Sequence, residues 1–512
     1  NPHGHWPNGR LEMQADVEKA PPPPGKMGEG RANLPAIGVD LAREGFVVFA
    51  YDMVGYNDTN QVSHGFAGTL EHWDAGVSLM GLQLWNSIRA VDYLCSRKDV
   101  DRKRIGVTGA SGGGTQTFLL AAVDDRIAAS VPVNMVSAHM QGGCLCENGP
   151  GLRIGTDNVE IAAVAAPKPQ LLIAATGDWT KNNPTEEWPA IRAVYGLYGH
   201  ADRTECRQFN YGHNYNIESR EAMVAWFVRW LARDPARTIR ERPFTLDTKA
   251  MRVWRDGVSR PAGIASDRAL ADAIQARGKA ARDKAGTDLR RFRALMRPAL
   301  RSVLGLPADA PTHTIGPRAR RAVLIVRPLG QLGDEATEIA RRLQHSAADV
   351  QIIEVGPTDV QPKEWWDQYR SCYNVTPLGL AAQAVTARIG AMSAGAQRVD
   401  VIGLGPAGLS ALYSRAAMNG LGTVLADVAG LDLTDESAMM RRAYAPGLGG
   451  IGGVPTAVKL IGTANVQLFG VAQESVERTR AVMGRAFVTG DRLSPDRAVQ
   501  ALAGRARKPS SE

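Results

Sequence analysis

Short, nearly unbroken apolar runs recur along the chain, separated by stretches whose apolar residues fall three and four apart. The first kind covers 45–51, 104–108, 128–133 and 170–176, with the more polar 205–210 read as a further strand, and the second covers 79–94, 115–122, 186–198 and 221–231. A strand that is apolar at successive positions is buried on both faces, and strands alternating with helices build a parallel sheet with crossover helices. The alternation returns at 321–326, 350–355, 399–403, 423–427 and 465–471. The chain therefore reads as α/β twice over, with mostly parallel sheets. Residues 237–311 carry no strand pattern but two helical stretches, 268–284 and 289–304, punctuated by Pro243, Pro261 and Pro307. The expected division is a first α/β domain over 1–236, a helical connector over 237–317, a second α/β domain over 318–490, and a frayed basic tail over 491–512.

Composition narrows the class. With 44% hydrophobic and 22% charged residues in 512, the chain is globular rather than disordered or fibrous. No stretch of about 18 residues is continuously apolar, so no membrane-spanning helix is expected. The net charge of +8 is unevenly placed: from 237 to 301 there are 17 Lys/Arg against 7 Asp/Glu, which is +10, leaving −2 for the rest. Those basic residues run through Ala-rich helical sequence with no known nucleic-acid motif, which fits a solvated connector better than a nucleic-acid surface. Five cysteines are too few for a disulfide framework at this length.

The strongest chemical signal is Gly109-Ala110-Ser111-Gly112-Gly113, set between the run 104–108 and a helix pattern. A nucleophilic serine at a tight strand-to-helix turn sits in a strained conformation with the helix passing close, so its neighbours must be small. The same turn aims the Gly112 amide at a reacting carbonyl and puts a helix N-terminus beneath developing negative charge. Such a serine needs a base and an acid downstream. Asp178 follows the run 170–176 and His213 follows 205–210, so each lies on the loop after its own strand. His213 would take and return the serine proton, and Asp178 would hold its tautomer. Glu186, Glu187 and Asp202 are rival acids, and helix capping is the plain structural role for Asp178. A second oxyanion donor fits the loop Pro2-His3-Gly4-His5-Trp6, through the His5 amide or that of Trp6. The strand that should precede this loop is absent from the sequence, so the natural chain is expected to extend upstream.

Weaker features surround this set. Cys144-Leu145-Cys146, with His139 nearby, has the look of a metal site, but zinc needs a second ligand pair, and Cys206 and Cys372 are isolated. The segment therefore reads as a structural loop with no metal, and Glu147 beside it as a pocket-lining residue. The turn 51–56 reads as structural. Trp6, Trp179 and Trp188 flank the proposed loops, where flat apolar faces suit sugar rings or acyl groups as well as packing.

Together the His3-Gly4 loop, the 109–113 turn, Asp178 and His213 resemble the α/β-hydrolase superfamily, within it the acetyl-xylan-esterase-like and prolyl-oligopeptidase-like branch, over about 1–236. The resemblance implies a serine hydrolase of carboxylic esters on small molecules or polysaccharide, with a Ser111-His213-Asp178 triad and no metal or organic cofactor. It also implies secretion or a periplasmic location. A prolyl-oligopeptidase-like peptidase is the same-class rival, and a glycan-binding protein with an inactive elbow is another.

The second domain carries Gly403, Gly405 and Gly408 between the run 399–403 and a helix pattern, with Asp427 at the end of the next run. This matches the dinucleotide fingerprint and keeps a nucleotide-binding oxidoreductase as the rival from another class. The segment also aligns with the serine turn, Gly405 on Gly109 and Ala407 on Ser111. No histidine follows His345. The domain thus resembles a degenerate hydrolase in which the turn is kept and the nucleophile lost.

Overall fold

The computed structural model describes residues 2–5, 10, 34–247, 251, 253, 254, 257, 258, 263, 266–307, 321–330, 334–347, 349–366 and 369–503. Trp6 and residues 504–512 lie outside the described residues; the first part of the expected frayed tail is instead folded, since Leu493 and the helix Pro495–Ala503, through Ala498 and Leu502, are buried in a hydrophobic core. The chain divides into two compact units, Asn1–Gly68 with Ser78–Ala271, and Thr69–Val77 with Asp272–Glu512. Among the described residues no helix is long and apolar enough to cross a membrane.

In the first unit, β1 (Ile105–Ala110), β2 (Ile127–Val133), β3 (Gln170–Ala175) and β4 (Thr204–Phe209) form a parallel sheet in sequence order. Both faces of β1–β3 are covered, which explains their apolar runs, whereas β4, at the edge, is polar and mostly only part-buried. Met223, Trp226, Phe227 and Leu231 pack on one set of inward side chains, including Val131, Leu171 and Ile173. Phe118, Leu119, Ile191 and Tyr195 lie in the cluster with Leu172. The helix Ile217–Phe227 comes so close to β1 that a Cβ on Gly106 would stand 2.8 Å from the Phe227 ring. Each fully buried aliphatic or aromatic side chain here contributes about 1.5–3 kcal/mol.

The expected strand at 45–51 is not formed as a ladder. Phe46, Val48 and Ala50 do alternate inward onto the core while Val47 stays exposed, so the period-two pattern sets an extended backbone. Strand pairing requires a neighbour about 4.8 Å away. The segment instead flanks a cavity of about 320 Å³ that Ile105, Thr108 and Phe227 also line, and its pairing is one isolated parallel bridge between Tyr51 and Pro2. The turn that follows is structural: buried Asp52 accepts from the Arg10 amide at 3.0 Å, the Arg10 guanidinium at 3.1 Å and Asn57 at 3.1 Å.

The second unit holds a six-stranded all-parallel sheet in the order β10-β9-β8-β7-β5-β6, made of β5 (Arg321–Pro328), β6 (Asp349–Val355), β7 (Arg398–Gly403), β8 (Val424–Leu431), β9 (Val466–Val471) and β10 (Phe487–Val488). The helix Leu289–Val303, read from sequence as connector, buries Phe292, Met296 and Leu300 in this unit's core. Its arginines reach helix ends, where unpaired carbonyls and the helix dipole favour cations. Arg293 donates to the Leu460 carbonyl at 3.1 Å, Arg297 to Ala416 at 3.2 Å and Arg301 to Ala417 at 3.2 Å. Much of the local positive charge is thus spent on carbonyl oxygens and not left facing solvent.

Candidate active site

Ser111 stands immediately after β1 with φ 58° and ψ −126°, a conformation that costs a non-glycine residue of order 1–3 kcal/mol. The strain is held by bonds on both sides: the Ser111 amide donates to the Val133 carbonyl at 3.1 Å, and its own carbonyl accepts from Thr115 at 3.0 Å as the helix Gly112–Val123 begins. The chain from Pro2 to Gly4 lies against this elbow. A Cβ on Gly4 would meet the Ala110 carbonyl at 2.8 Å and the Ser111 Cβ at 3.1 Å, and one on Gly109 would meet the Pro2 carbonyl at 2.5 Å. The small residues around the serine therefore let a second backbone approach it.

Asp178 and His213 are brought together. His213 Nδ1 lies 3.0 Å from Asp178 Oδ2. A carboxylate only accepts, so Nδ1 donates and the lone pair of the neutral ring resides on Nε2. The other Asp178 oxygen accepts from the Thr180 amide at 2.7 Å within a turn; the next helix begins at Glu187 with Glu186 at its N-cap, so Asp178 caps no helix. The Asp178 side chain is 2% exposed and that of His213 32%, which leaves the imidazole reachable while its partner is shielded. The two loops are joined by the Gly177 amide donating to the Tyr211 carbonyl at 2.9 Å, and a Cβ at 177 would stand 2.8 Å from that oxygen. The Trp179 ring packs against the His213 ring, centroids 4.2 Å apart.

The rival acids are placed elsewhere. Glu186 pairs with exposed His139 at 2.8 Å, Glu187 accepts from the Ala138 amide at 3.1 Å, and Asp202 precedes β4, at the sheet edge opposite Ser111. Trp188 is partly buried in the core beside Ile191 and Tyr195.

On the far side of the elbow, His5 and Glu147 face Gly112: a Cβ there would lie 3.3 Å from His5 Cε1 and 3.5 Å from Glu147 Oε1. Glu147 is buried and accepts from the Gly143 amide at 2.7 Å. Its loop is shaped by Arg153, which sequence reasoning missed. That buried guanidinium donates to the Glu147 carbonyl, Asn148 Oδ1 and Asn158 Oδ1, each at 2.9 Å. An arginine in a loop gives no sequence signal that its partners are loop carbonyls. Also missed were the partners of the cysteine pair. Cys144 and Cys146, joined as a disulfide, are met by His5 and His64, not by His139.

In the second unit the aligned turn differs. Positive φ, 51°, belongs to Gly405, while Ala407 has φ −80° and ψ −5° in the 3-10 turn Gly405–Ala407. Gly405 absorbs the left-handed step and Pro406 restricts the next φ, so the elbow conformation is not kept at Ala407. Asp427 is also committed. It accepts from Arg492 at 2.6 Å and from the Ala429 and Leu493 amides at 2.8 and 3.1 Å, so its carboxylate is already occupied where a dinucleotide ribose would need it.

Comparison with known proteins finds that residues 27–139 match the dienelactone hydrolase family. The chain is 29% identical over 209 residues to the putative hydrolase YtaP of Bacillus subtilis (strain 168), covering 38% of this chain and 69% of that protein. Among solved structures it is similar to methylesterase BT1017, at 31% identity and a TM-score of 0.38, over 50% of this chain and 53% of that one. It is also similar to a family 15 carbohydrate esterase, a glucuronoyl esterase from Caldicellulosiruptor kristjansonii, at 19% identity and a TM-score of 0.26, over 33% and 55% of the two chains. The chain thus spans about half the length of each of these two esterases.

Proposed function

We propose, from the match of residues 27–139 to the dienelactone hydrolase family, that this chain is a serine carboxylic-ester hydrolase acting on carbohydrate esters, acetyl xylan-like in kind. The observation that carries the reading is the Asp178–His213 pair, 3.0 Å apart, on loops at the carboxyl edge of the sheet where strained Ser111 also stands. In this reading His213 Nε2 accepts the Ser111 proton as Oγ bonds to the ester carbonyl carbon. The oxyanion so formed accepts from the amides of Gly112 and His5. The C–O bond to the alcohol then breaks, His213 returns the proton to the leaving alkoxide, and the acyl group stays on Ser111. Water, deprotonated by the same imidazole, releases the acid and restores the serine. Asp178 orients the ring and stabilises its charged form, and Trp179 and Glu147 line the approach. Trp6 is assigned the same lining role from sequence.

Hydrolysis of acetylated xylo-oligosaccharide by the wild type and by Ser111→Ala tests the reading. Removal of the nucleophile is expected to lower kcat by on the order of 10⁶-fold. Retained turnover by a folded variant would sink it.

A further inference from the structure

The geometry points to a second site in the first unit: a soft divalent metal site, suited to Zn²⁺, formed by His5, His64, Cys144 and Cys146 when the cysteines are reduced. Their ligand atoms, two nitrogens and two sulfurs, all lie within 4.8 Å of one another. His5 Nε2 is 3.0 Å from each sulfur and 3.4 Å from His64 Nε2. Tetrahedral zinc, with Zn–S of about 2.3 Å and Zn–N of about 2.0–2.1 Å, sets ligand nitrogens about 3.3 Å apart and nitrogen–sulfur pairs about 3.6 Å apart. The nitrogen pair already has the required spacing, and the two His5–sulfur pairs would open by about half an ångström.

The surroundings are those of a ligand set. His64 Nδ1 is 2.6 Å from the Val54 carbonyl, which can only accept, so Nδ1 carries the proton and the neutral ring turns its Nε2 lone pair toward His5 and the sulfurs. The Cys146 amide donates to Cys144 Sγ at 3.3 Å, a bond that strengthens when the sulfur is a thiolate. Cys-x-Cys spacing alone could not reveal the site, because its second ligand pair comes from residues 5 and 64.

In the structure the two sulfurs form a disulfide, so metal and disulfide are alternative states. A thiol reductant supplies two electrons and two protons to the S–S bond and is itself oxidised to its disulfide. Zn²⁺ then displaces the two thiol protons to solvent, and the sulfurs separate to about 3.8 Å around it. Because His5 packs on Gly112, the ion would fasten the loop of the proposed oxyanion donor to the loop carrying Glu147. Only this positioning consequence rests on the esterase reading; the ligand set does not.

The test is metal binding by the full chain. Phosphine-reduced protein equilibrated with Zn²⁺ and passed into metal-free buffer is expected to retain about one zinc per chain by mass spectrometry. With Co²⁺ it should give the intense visible bands of a tetrahedral site with sulfur-to-cobalt charge transfer. Protein oxidised to the disulfide, and the Cys144→Ser/Cys146→Ser variant, should retain none. His64→Ala, which leaves the cysteines in place, should bind at least tenfold more weakly and guards against a cysteine variant that fails to fold. Ser111→Ala should bind zinc like the wild type, so failure of the esterase reading leaves this result distinguishable. Zinc retention equal in reduced and oxidised protein, absence of retention in both, or a weak octahedral cobalt spectrum would each overturn the proposal.

Discussion

His213 and Asp178 are 35 residues apart in sequence and 3.0 Å apart in space, and each is delivered by the loop that follows its own parallel strand. Asp178→Asn keeps the size of the side chain but can present an amide N–H to the ring, which favours the tautomer with the proton on the wrong nitrogen. Steady-state kinetics on a chromogenic acetate ester should show kcat reduced by about 10⁴-fold with KM nearly unchanged. A rise in KM with kcat preserved would instead assign Asp178 to substrate binding.

Gly4 probes how close the second backbone comes to the elbow. Gly4→Ala places a methyl against the Ala110 carbonyl and the Ser111 Cβ, so the 2–5 segment must retreat. The expected outcome is at least a tenfold lower kcat with thermal stability within about 1 kcal/mol of wild type, since the displaced segment is short. Unaltered kcat would show that the His5 amide is not an oxyanion donor.

Asp74 offers a pH test in the second unit. Burial, reinforced by Glu436 and Glu71 and opposed by a bond from the Gly449 amide, pushes its carboxyl up to about 6. A raised folded value means that the folded state holds the proton more tightly. The favourable contribution is therefore complete below about pH 3.8 and is lost as pH rises through about 6. Asp74→Asn should thus stabilise the second unit by roughly 1–3 kcal/mol at pH 8 and by much less at pH 4. Urea melts of both proteins at the two pH values give the comparison, and an equal difference at both would reject this origin.

Arg297 tests what the basic helix does. Burial, with the neighbouring Arg293 charge adding to it, pushes its guanidinium down to about 10, yet it remains charged and bonded to the Ala416 and Leu460 carbonyls. Arg297→Ala should destabilise the second unit by about 1–3 kcal/mol in denaturant titrations, by stranding those carbonyls and removing the packed stem. A change within 0.5 kcal/mol, the range of ordinary surface substitutions, would restore the solvated-connector reading.

The central strands flanked by helices were legible because burial on both faces writes an apolar run, and Ser111 and Asp178 each follow such a run, whereas His213 follows the polar edge strand β4 and was placed by its order after them. The segment 45–51 shows the limit of that logic: alternation dictates an extended chain, but a ladder also depends on a neighbour that no local pattern records. Ala407 shows another, since a glycine two positions earlier can absorb the turn that an alignment assigns to the aligned residue. The arginines of 289–303 and the ligands around Cys144 and Cys146 depend on partners far away in sequence. Charge and spacing along the chain carry no trace of such partners.

The account turns on Ser111 being an activated nucleophile. Treatment of the full chain with a fluorophosphonate, followed by peptide mass spectrometry, is predicted to place one phosphonyl group on Ser111 and to abolish ester hydrolysis in step with labelling. Labelling should be slowed by on the order of 10³-fold or more in a folded His213→Ala variant. Labelling at another residue, or none at Ser111 in protein that still hydrolyses esters, would contradict it.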